Sequence, residues 1–159
     1  MMSNRWNENV FIGLGSNVGD RRTFIERSVG ILNGHRELQL VEQSSIIETE
    51  PEGEQLERRF LNGAVQCSSR YAPGSLLNVL EDIERDLGRA EKGTGGPRCI
   101  DLDVLFFGDR VIDRPDLKIP HPRAHKRTFV LEPMVEIAPD FVHPVLGETM
   151  KELLSSLSS

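Results

Sequence analysis

The spacing of apolar residues divides the chain into short segments of two kinds. Val10-Phe11-Ile12-Gly13-Leu14 is a continuous apolar run, and the turn formers Gly15-Ser16-Asn17 close it, which predicts a first strand followed by a turn. Beyond Asp20, Phe24, Ile25, Val29, Ile31 and Leu32 recur at helical spacing. Asp20 suits the N-cap of that helix and Gly34 its end. Leu38 to Ile47 is rich in β-branched and alternating positions and predicts one long second strand. After the polar break Pro51-Glu52-Gly53-Glu54, a third strand runs from Phe60 to Cys67. Its period of two puts Phe60, Asn62, Ala64 and Gln66 on one face, with Leu61, Gly63 and Val65 on the other.

Pro73 opens the clearest helix; Leu76, Leu80, Ile83 and Leu87 form its apolar stripe, and Gly88 ends it. A glycine-rich loop, Gly93-Thr94-Gly95-Gly96-Pro97, leads to the apolar strand Ile100 to Phe107. Gly108-Asp109-Arg110 turns that strand back into Val111-Ile112. Thr128 to Leu131 resumes apolar packing, and a last short helix carries Met150, Leu153, Leu154 and Leu157. The order β-α-β-β-α-β-β-α, with tight turns that demand antiparallel pairing, predicts an α+β fold. The expectation is a ferredoxin-like α/β sandwich: a largely antiparallel sheet flanked by helices.

The 159 residues suffice for one ordinary domain, expected over 1–159 with 1–9 as a loosely ordered extension. No apolar run reaches bilayer length, and the polar start carries no signal-peptide core, so a cytoplasmic protein is expected. Cys67 and Cys99 have no metal-like spacing and are read as reduced thiols. The net charge of −6 argues against nucleic acid as the main partner. That average hides two basic islands. One holds Arg89, Lys92 and Arg98 against the single acid Glu91; the other holds Lys118, Arg123, Lys126 and Arg127 with His121 and His125. Such islands suit a local anion site, although charge alone favours solvated loops.

The sharpest chemistry lies in Arg98-Cys99-Ile100-Asp101-Leu102-Asp103. Residues two apart on a strand share a face, which sets the two carboxylates about 6.5–7 Å apart along the backbone. At an effective dielectric near 20 their repulsion is roughly 2–3 kcal/mol, which a divalent cation such as Mg²⁺ or Mn²⁺ converts into binding. On these residues alone, a solvated strand end remains an equal alternative. Arg98 beside the pair suits bidentate phosphate contact. Gly13 to Asn17 is not a dinucleotide fingerprint, because the third glycine, Gly19, comes one position late; a strand-to-helix turn is the simpler reading. His121 and His125 have the four-residue spacing of a helical zinc pair, but Pro120 and Pro122 oppose a helix there, and His121 is read as a phosphate contact. Asn62 beside Phe60 is an odd residue for a core and could read a heterocycle edge. Glu81 and Glu84 are read as the solvated side of the second helix.

Gly96-Pro97-Arg98-x-x-Asp101-Leu102-Asp103-Val104-Leu105 resembles the signature of the 6-hydroxymethyl-7,8-dihydropterin pyrophosphokinases of folate biosynthesis. Gly15-Ser16-Asn17, Phe60-Leu61-Asn62, Leu87-Gly88-Arg89, Ile119-Pro120-His121-Pro122-Arg123, Arg127-x-Phe129-Val130-Leu131 and Glu136-Ile137-Ala138-Pro139 follow in family order. The resemblance implies transfer of diphosphate from Mg-ATP to the pterin hydroxymethyl group with release of AMP. It implies that Asp101 and Asp103 ligate two Mg²⁺ ions, and that Arg89, Arg98, Asp101 and Asp103 carry catalysis. It places Glu84, Arg89, Lys92, Arg98, Lys118, His121 and Arg127 at ATP. It places Thr49, Glu50, Pro51, Glu52, Gly53, Phe60, Asn62, Asp101 and Phe129 at the pterin, with Phe60 and Phe129 sandwiching the ring. The implied partners are these two small molecules, acted on by a monomer, with no nucleic acid or membrane. Glu91 stands where the family commonly has a second basic residue, Thr94-Gly95 replaces a bulky pair, and Glu81 stands where glutamine is frequent.

Overall fold

The computed structural model describes residues 8–17, 19–49, 60–88 and 99–158. Strand β1 (Glu8–Ser16) is central and lies antiparallel to both β4 (Phe60–Ser69) and β5 (Asp101–Phe107). β2 (Leu38–Gln43) and β3 (Ile47–Thr49) pair with successive stretches of β4. The spatial order is β2-β4-β1-β5, with β3 beside β4. Counting β2 and β3 as one strand position, the path is β-α-β-β-α-β, the expected ferredoxin-like frame.

Helices α1 (Arg21–Asn33) and α2 (Pro73–Asp86) cover one face of the sheet. There Val10, Ile12, Val65, Cys67 and Leu102 meet Ile25, Leu32, Leu76, Leu80 and Ile83. Cys67 is buried in that core as a free thiol, and desolvation pushes its pKa up to about 12. Helices α3 (Thr128–Ile137) and α4 (Met150–Ser158) cover the other face, where Phe11, Ala64, Leu105 and Phe106 meet Leu131, Met134, Met150 and Leu153. Leu105 and Phe106 share that face because the β1–β5 register shifts between Phe11 and Ile12.

Asp20 caps α1 as expected, its side chain accepting from the Thr23 N–H; the Thr23 side chain first, and then this N–H, lower its carboxyl pKa. Gly88, at φ +101°, follows the end of α2.

Six expectations change. β1 starts at Glu8, so Glu8 and Asn9 belong to the sheet rather than to a loose extension. Gly15 and Ser16 are strand residues, paired with Asn62 and Leu61, and the turn begins only at Asn17. The long second strand is two strands, because Ser44 to Ile46 leave the ladder. The Ser44 hydroxyl accepts from the Ala64 N–H, and the Glu136 carboxylate accepts from the N–H and hydroxyl of Ser45. β6 (Ile112–Arg114) does not return along β5; it pairs with β7 (Leu117–Ile119) in a separate two-stranded sheet. Thr128 to Leu131, read only as a return of apolar packing, begins the helix α3, which contains Pro133. Leu157, assigned to the apolar face of α4, is 41% exposed.

Candidate active site

Strand pairing brings the predicted residues to one face of the sheet. Asp101 and Asp103 lie on β5 opposite Gly15 and Gly13 of β1. On the other side of β1, Gly15 and Gly13 face Asn62 and Ala64 of β4. Two rows therefore cross the sheet, Asp101-Gly15-Asn62 and Asp103-Gly13-Ala64. This is the face that α3 and α4 cover further along, where Ala64 and Leu105 enter the apolar cluster.

The middle of both rows is glycine. A Cβ on Gly15 would sit 3.3 Å from Asn62 Oδ1 and 3.9 Å from Phe60 Cδ1; a Cβ on Gly13 would sit 3.2 Å from the Leu105 side chain. The two glycines leave a trough between the carboxylates and the Asn62 side chain, across which the strands are about 10 Å apart. Glycine two apart in a strand marks a face that something approaches closely. Gly13-Leu14-Gly15 carries that signal in the sequence, and both glycines lie within β1 rather than in a turn.

One wall of the trough is fixed internally. Asn62 is 7% exposed and donates from Nδ2 to Thr49 Oγ1 at 2.6 Å. Thr49 is paired with Phe60 on β4. Asn62 Oδ1 is the atom nearest the Gly15 Cβ position, so it presents an acceptor to the trough. Phe129 stands in the first turn of α3, half-buried, with the Arg127 guanidinium 5.4 Å from its ring centre.

The other wall is β5, at the edge of the sheet. His121 N–H donates to the Leu105 carbonyl at 2.9 Å, which draws the basic segment alongside this strand. His121 lies outside any helix, and its Nδ1 accepts from the Arg123 N–H. Lys118, on β7, is paired at 2.5 Å with Asp113 directly across the small sheet. Ser16, fully buried, donates to the Cys99 carbonyl at 2.5 Å and joins the end of β1 to the segment entering β5.

Glu84 is the clearest departure from the sequence reading. It is not on the solvated side of α2: it is 3% exposed and its Oε2 accepts the Leu102 N–H at 2.7 Å, between the two aspartates. Its burial is legible in the helical spacing Leu76-Leu80-Glu84, which continues the apolar stripe, whereas its partner Leu102 and the tie from Ser16 to Cys99 are distant in sequence and have no local signal. Arg89, Lys92 and Arg98, and Glu50, Pro51, Glu52 and Gly53, lie outside the described residues.

Among the described residues, no group of three or more His, Cys, Asp or Glu side chains could hold a metal ion. That does not disqualify Mg²⁺. It dehydrates reluctantly and is commonly bound by one or two carboxylates plus substrate phosphates and water. Asp101 and Asp103 on one face fit that donor set.

The profile of the 7,8-dihydro-6-hydroxymethylpterin-pyrophosphokinase (HPPK) family matches residues 11–139. The chain belongs to the HPPK family. It is thus a pyrophosphokinase of folate biosynthesis. A 2-amino-4-hydroxy-6-hydroxymethyldihydropteridine pyrophosphokinase of Bacillus subtilis is 41% identical over 131 residues, 82% of this chain and 78% of that protein. One from Aquifex aeolicus is 36% identical over 143 residues, 90% of this chain and 88% of that one. The folic acid synthesis protein fol1 of Schizosaccharomyces pombe is 35% identical over 153 residues, 96% of this chain but 21% of that longer protein. A crystal structure of Plasmodium falciparum HPPK-DHPS shares the fold, with a TM-score of 0.76 at 18% identity, over 94% of this chain and 42% of that chain. The HPPK fold therefore accounts for the layered sheet, and the trough lies on it where the signature strand β5 meets β1.

Proposed function

We propose that this pyrophosphokinase binds 6-hydroxymethyl-7,8-dihydropterin in the trough and transfers to it the diphosphate of Mg-ATP. The observation that carries this is the pair of rows Asp101-Gly15-Asn62 and Asp103-Gly13-Ala64, which sets two carboxylates and a fixed amide acceptor on either side of a glycine floor. A flat heterocycle can lie against such a floor. Asn62 Oδ1 then accepts from a ring N–H or amino group, and Thr49 holds that amide in place. Phe60 and Phe129 are assigned to stack on the ring.

Asp101 and Asp103 would hold two Mg²⁺ ions, which neutralise phosphate charge and polarise the transferring group when bound. The hydroxymethyl oxygen forms a bond to the β-phosphorus, the bond from that phosphorus to the α–β bridging oxygen breaks, and AMP leaves with the electron pair. The hydroxyl proton passes to solvent water as the new bond forms. Asp101, at the end of β5 nearest Asn62, has the better position to orient the attacking hydroxyl. Arg89, Lys92, Arg98, Lys118, His121 and Arg127 are assigned to the ATP phosphates and nucleotide on the strength of the sequence, supported by His121 lying along β5. Positioning and charge neutralisation carry most of the catalysis in such transfers. The chain is assigned to the cytoplasm as a monomer; among the described residues no helix is long and apolar enough to cross a membrane.

A product assay with ATP, Mg²⁺ and 6-hydroxymethyl-7,8-dihydropterin tests the reading. Pterin-dependent AMP together with pterin diphosphate is expected. ADP in place of AMP, or pterin binding without nucleotide turnover, would overturn it.

A further inference from the structure

β5 carries both aspartates and, among the described strands, is paired on one side only, with β1. Two of its backbone groups are tied down by other means. The Leu105 carbonyl accepts from His121 N–H, and the Leu102 N–H donates to Glu84 Oε2. The second tie is unusual in its cost. α2 buries an apolar stripe of Leu76, Leu80 and Ile83, and Glu84, one turn beyond Leu80, puts a carboxyl group 3% exposed into that buried side. Burying a carboxylate is unfavourable unless strong donors compensate it. An apolar residue would fill the space more cheaply, yet would leave the Leu102 amide without this acceptor.

We propose that Glu84 is a positioning residue of the metal site. Its carboxylate fixes the Leu102 amide, one of the two peptide groups that join Asp101 to Asp103. Because the bond is to the backbone, it constrains both side chains together. They leave the strand on the same face and at a set separation before any cation arrives. This inference rests on Asp101 and Asp103 being the metal ligands, and it gives Glu84 a role other than contact with the nucleotide.

The test uses the full chain with Glu84→Ala and Glu84→Gln, the second keeping an acceptor oxygen at the same reach. In metal-free protein, hydrogen exchange of the Leu102 amide is followed by NMR; Mn²⁺ alone is then titrated by electron paramagnetic resonance. Glu84→Ala is expected to speed Leu102 exchange and to weaken Mn²⁺ binding about 10- to 100-fold, the usual effect of losing an outer partner of a metal ligand. It should lower kcat while the KM for pterin changes little, and Glu84→Gln should restore most of each loss. Unchanged Leu102 exchange and Mn²⁺ affinity in Glu84→Ala would overturn the proposal. So would a Glu84→Gln variant as impaired as Glu84→Ala, since charge rather than placement would then be the cause. If Glu84→Ala does not fold, Glu84→Asp, which withdraws the carboxylate by one methylene, is read by the same two measurements. Asp101→Asn is titrated alongside. Unaltered Mn²⁺ binding in that variant would sink the ligand assignment itself, and the exchange of Leu102 would show that failure to be separate from the anchor.

Discussion

Gly15→Ala separates the trough's function from the fold's stability. Within a strand, alanine is favoured over glycine by roughly 0.5–1 kcal/mol, because the unfolded chain has less freedom to lose. Against that stands one tight contact: the new methyl would meet Asn62 Oδ1 at 3.3 Å, while Phe60 Cδ1 at 3.9 Å is at ordinary contact distance. The Asn62 amide must yield by a few tenths of an ångström against its 2.6 Å bond to Thr49. These terms nearly cancel, so the melting transition should stay within about 1 kcal/mol of wild type. Binding does not share the cancellation. The methyl raises the floor by about 1.5 Å, one carbon–carbon bond, and turns the acceptor away from its position. Loss of one or two hydrogen bonds at the ring edge costs about 1–3 kcal/mol, or about 5- to 150-fold in affinity. Isothermal calorimetry with the pterin, thermal unfolding and steady-state kinetics on one preparation decide the matter. The expected result is an intact fold, a KM for pterin raised at least 5-fold, and a KM for ATP changed far less. Unchanged pterin affinity in a folded Gly15→Ala variant would refute the placement of the ring on this floor.

Other outcomes follow from the same geometry. Asp101→Asn and Asp103→Asn should each lower kcat by at least about 100-fold in Mg²⁺, measured by AMP release, because several kcal/mol of charge stabilisation go with the metal. Neither should lower the melting temperature by much, since each removes a like charge from its neighbour. Glu136→Ala removes a carboxylate that accepts from the Ser45 N–H at 2.8 Å and from its hydroxyl at 2.6 Å. About 1 kcal/mol of stability should be lost in urea unfolding, with a raised KM for pterin, because Ser45 sets where β3 carries Thr49. His143 is buried, and burial followed by the nearby His125 holds its pKa below the usual histidine value. Its Nδ1 accepts the N–H groups of Val145 and Leu146 and must stay unprotonated to do so. The unfolded chain takes up this proton more readily, so its contribution to stability is present above about pH 6.5 and is lost as pH falls towards its lowered folded value. His143→Asn, which keeps an acceptor near Nδ1, should flatten that part of the pH–stability curve.

Local signals carried the elements with a clear period or a clear boundary. Asp20, Pro73 and Gly88 each act over one turn of helix, and each end falls where those residues place it. The parity of Phe60, Asn62 and Ala64 likewise survives into the sheet, because the two faces of β4 pack into different apolar layers and a slip would exchange them. The misses have a common cause, a partner distant in sequence. Ser44 to Ile46 look like strand, and the Ser44 N–H still donates to the Ala64 carbonyl, but the Ser45 N–H turns instead to Glu136, 91 residues away. Val111-Ile112 look like the return arm of a hairpin, but β5 already offers its edge to Glu84 and His121, and β6 pairs with β7 instead. Asp101, Asp103 and Asn62 were legible as odd polar residues in apolar strands; that Gly15 joins them required the register.

The placement of the aspartates at the sheet edge is itself informative. In the interior of a sheet, neighbouring strands would fix their backbone on both sides, and side chains on the adjoining strands would crowd the cation. At the edge there is room for phosphates and for the basic segment that runs along β5 from His121. Among the described strands only β1 pairs with β5, so the backbone that carries the two proposed ligands depends on ties from outside the sheet to keep a pair of like charges in place. Gly13 and Gly15 on one side and Glu84 on the other resolve this conflict in opposite ways. The glycines take side chains away so that a ligand can approach the inner flank of Asp101 and Asp103, and Glu84 adds one where the strand has lost a neighbour. An edge site of this kind must therefore import its rigidity from outside the sheet, and in this chain the buried end of α2 is the element placed to supply it.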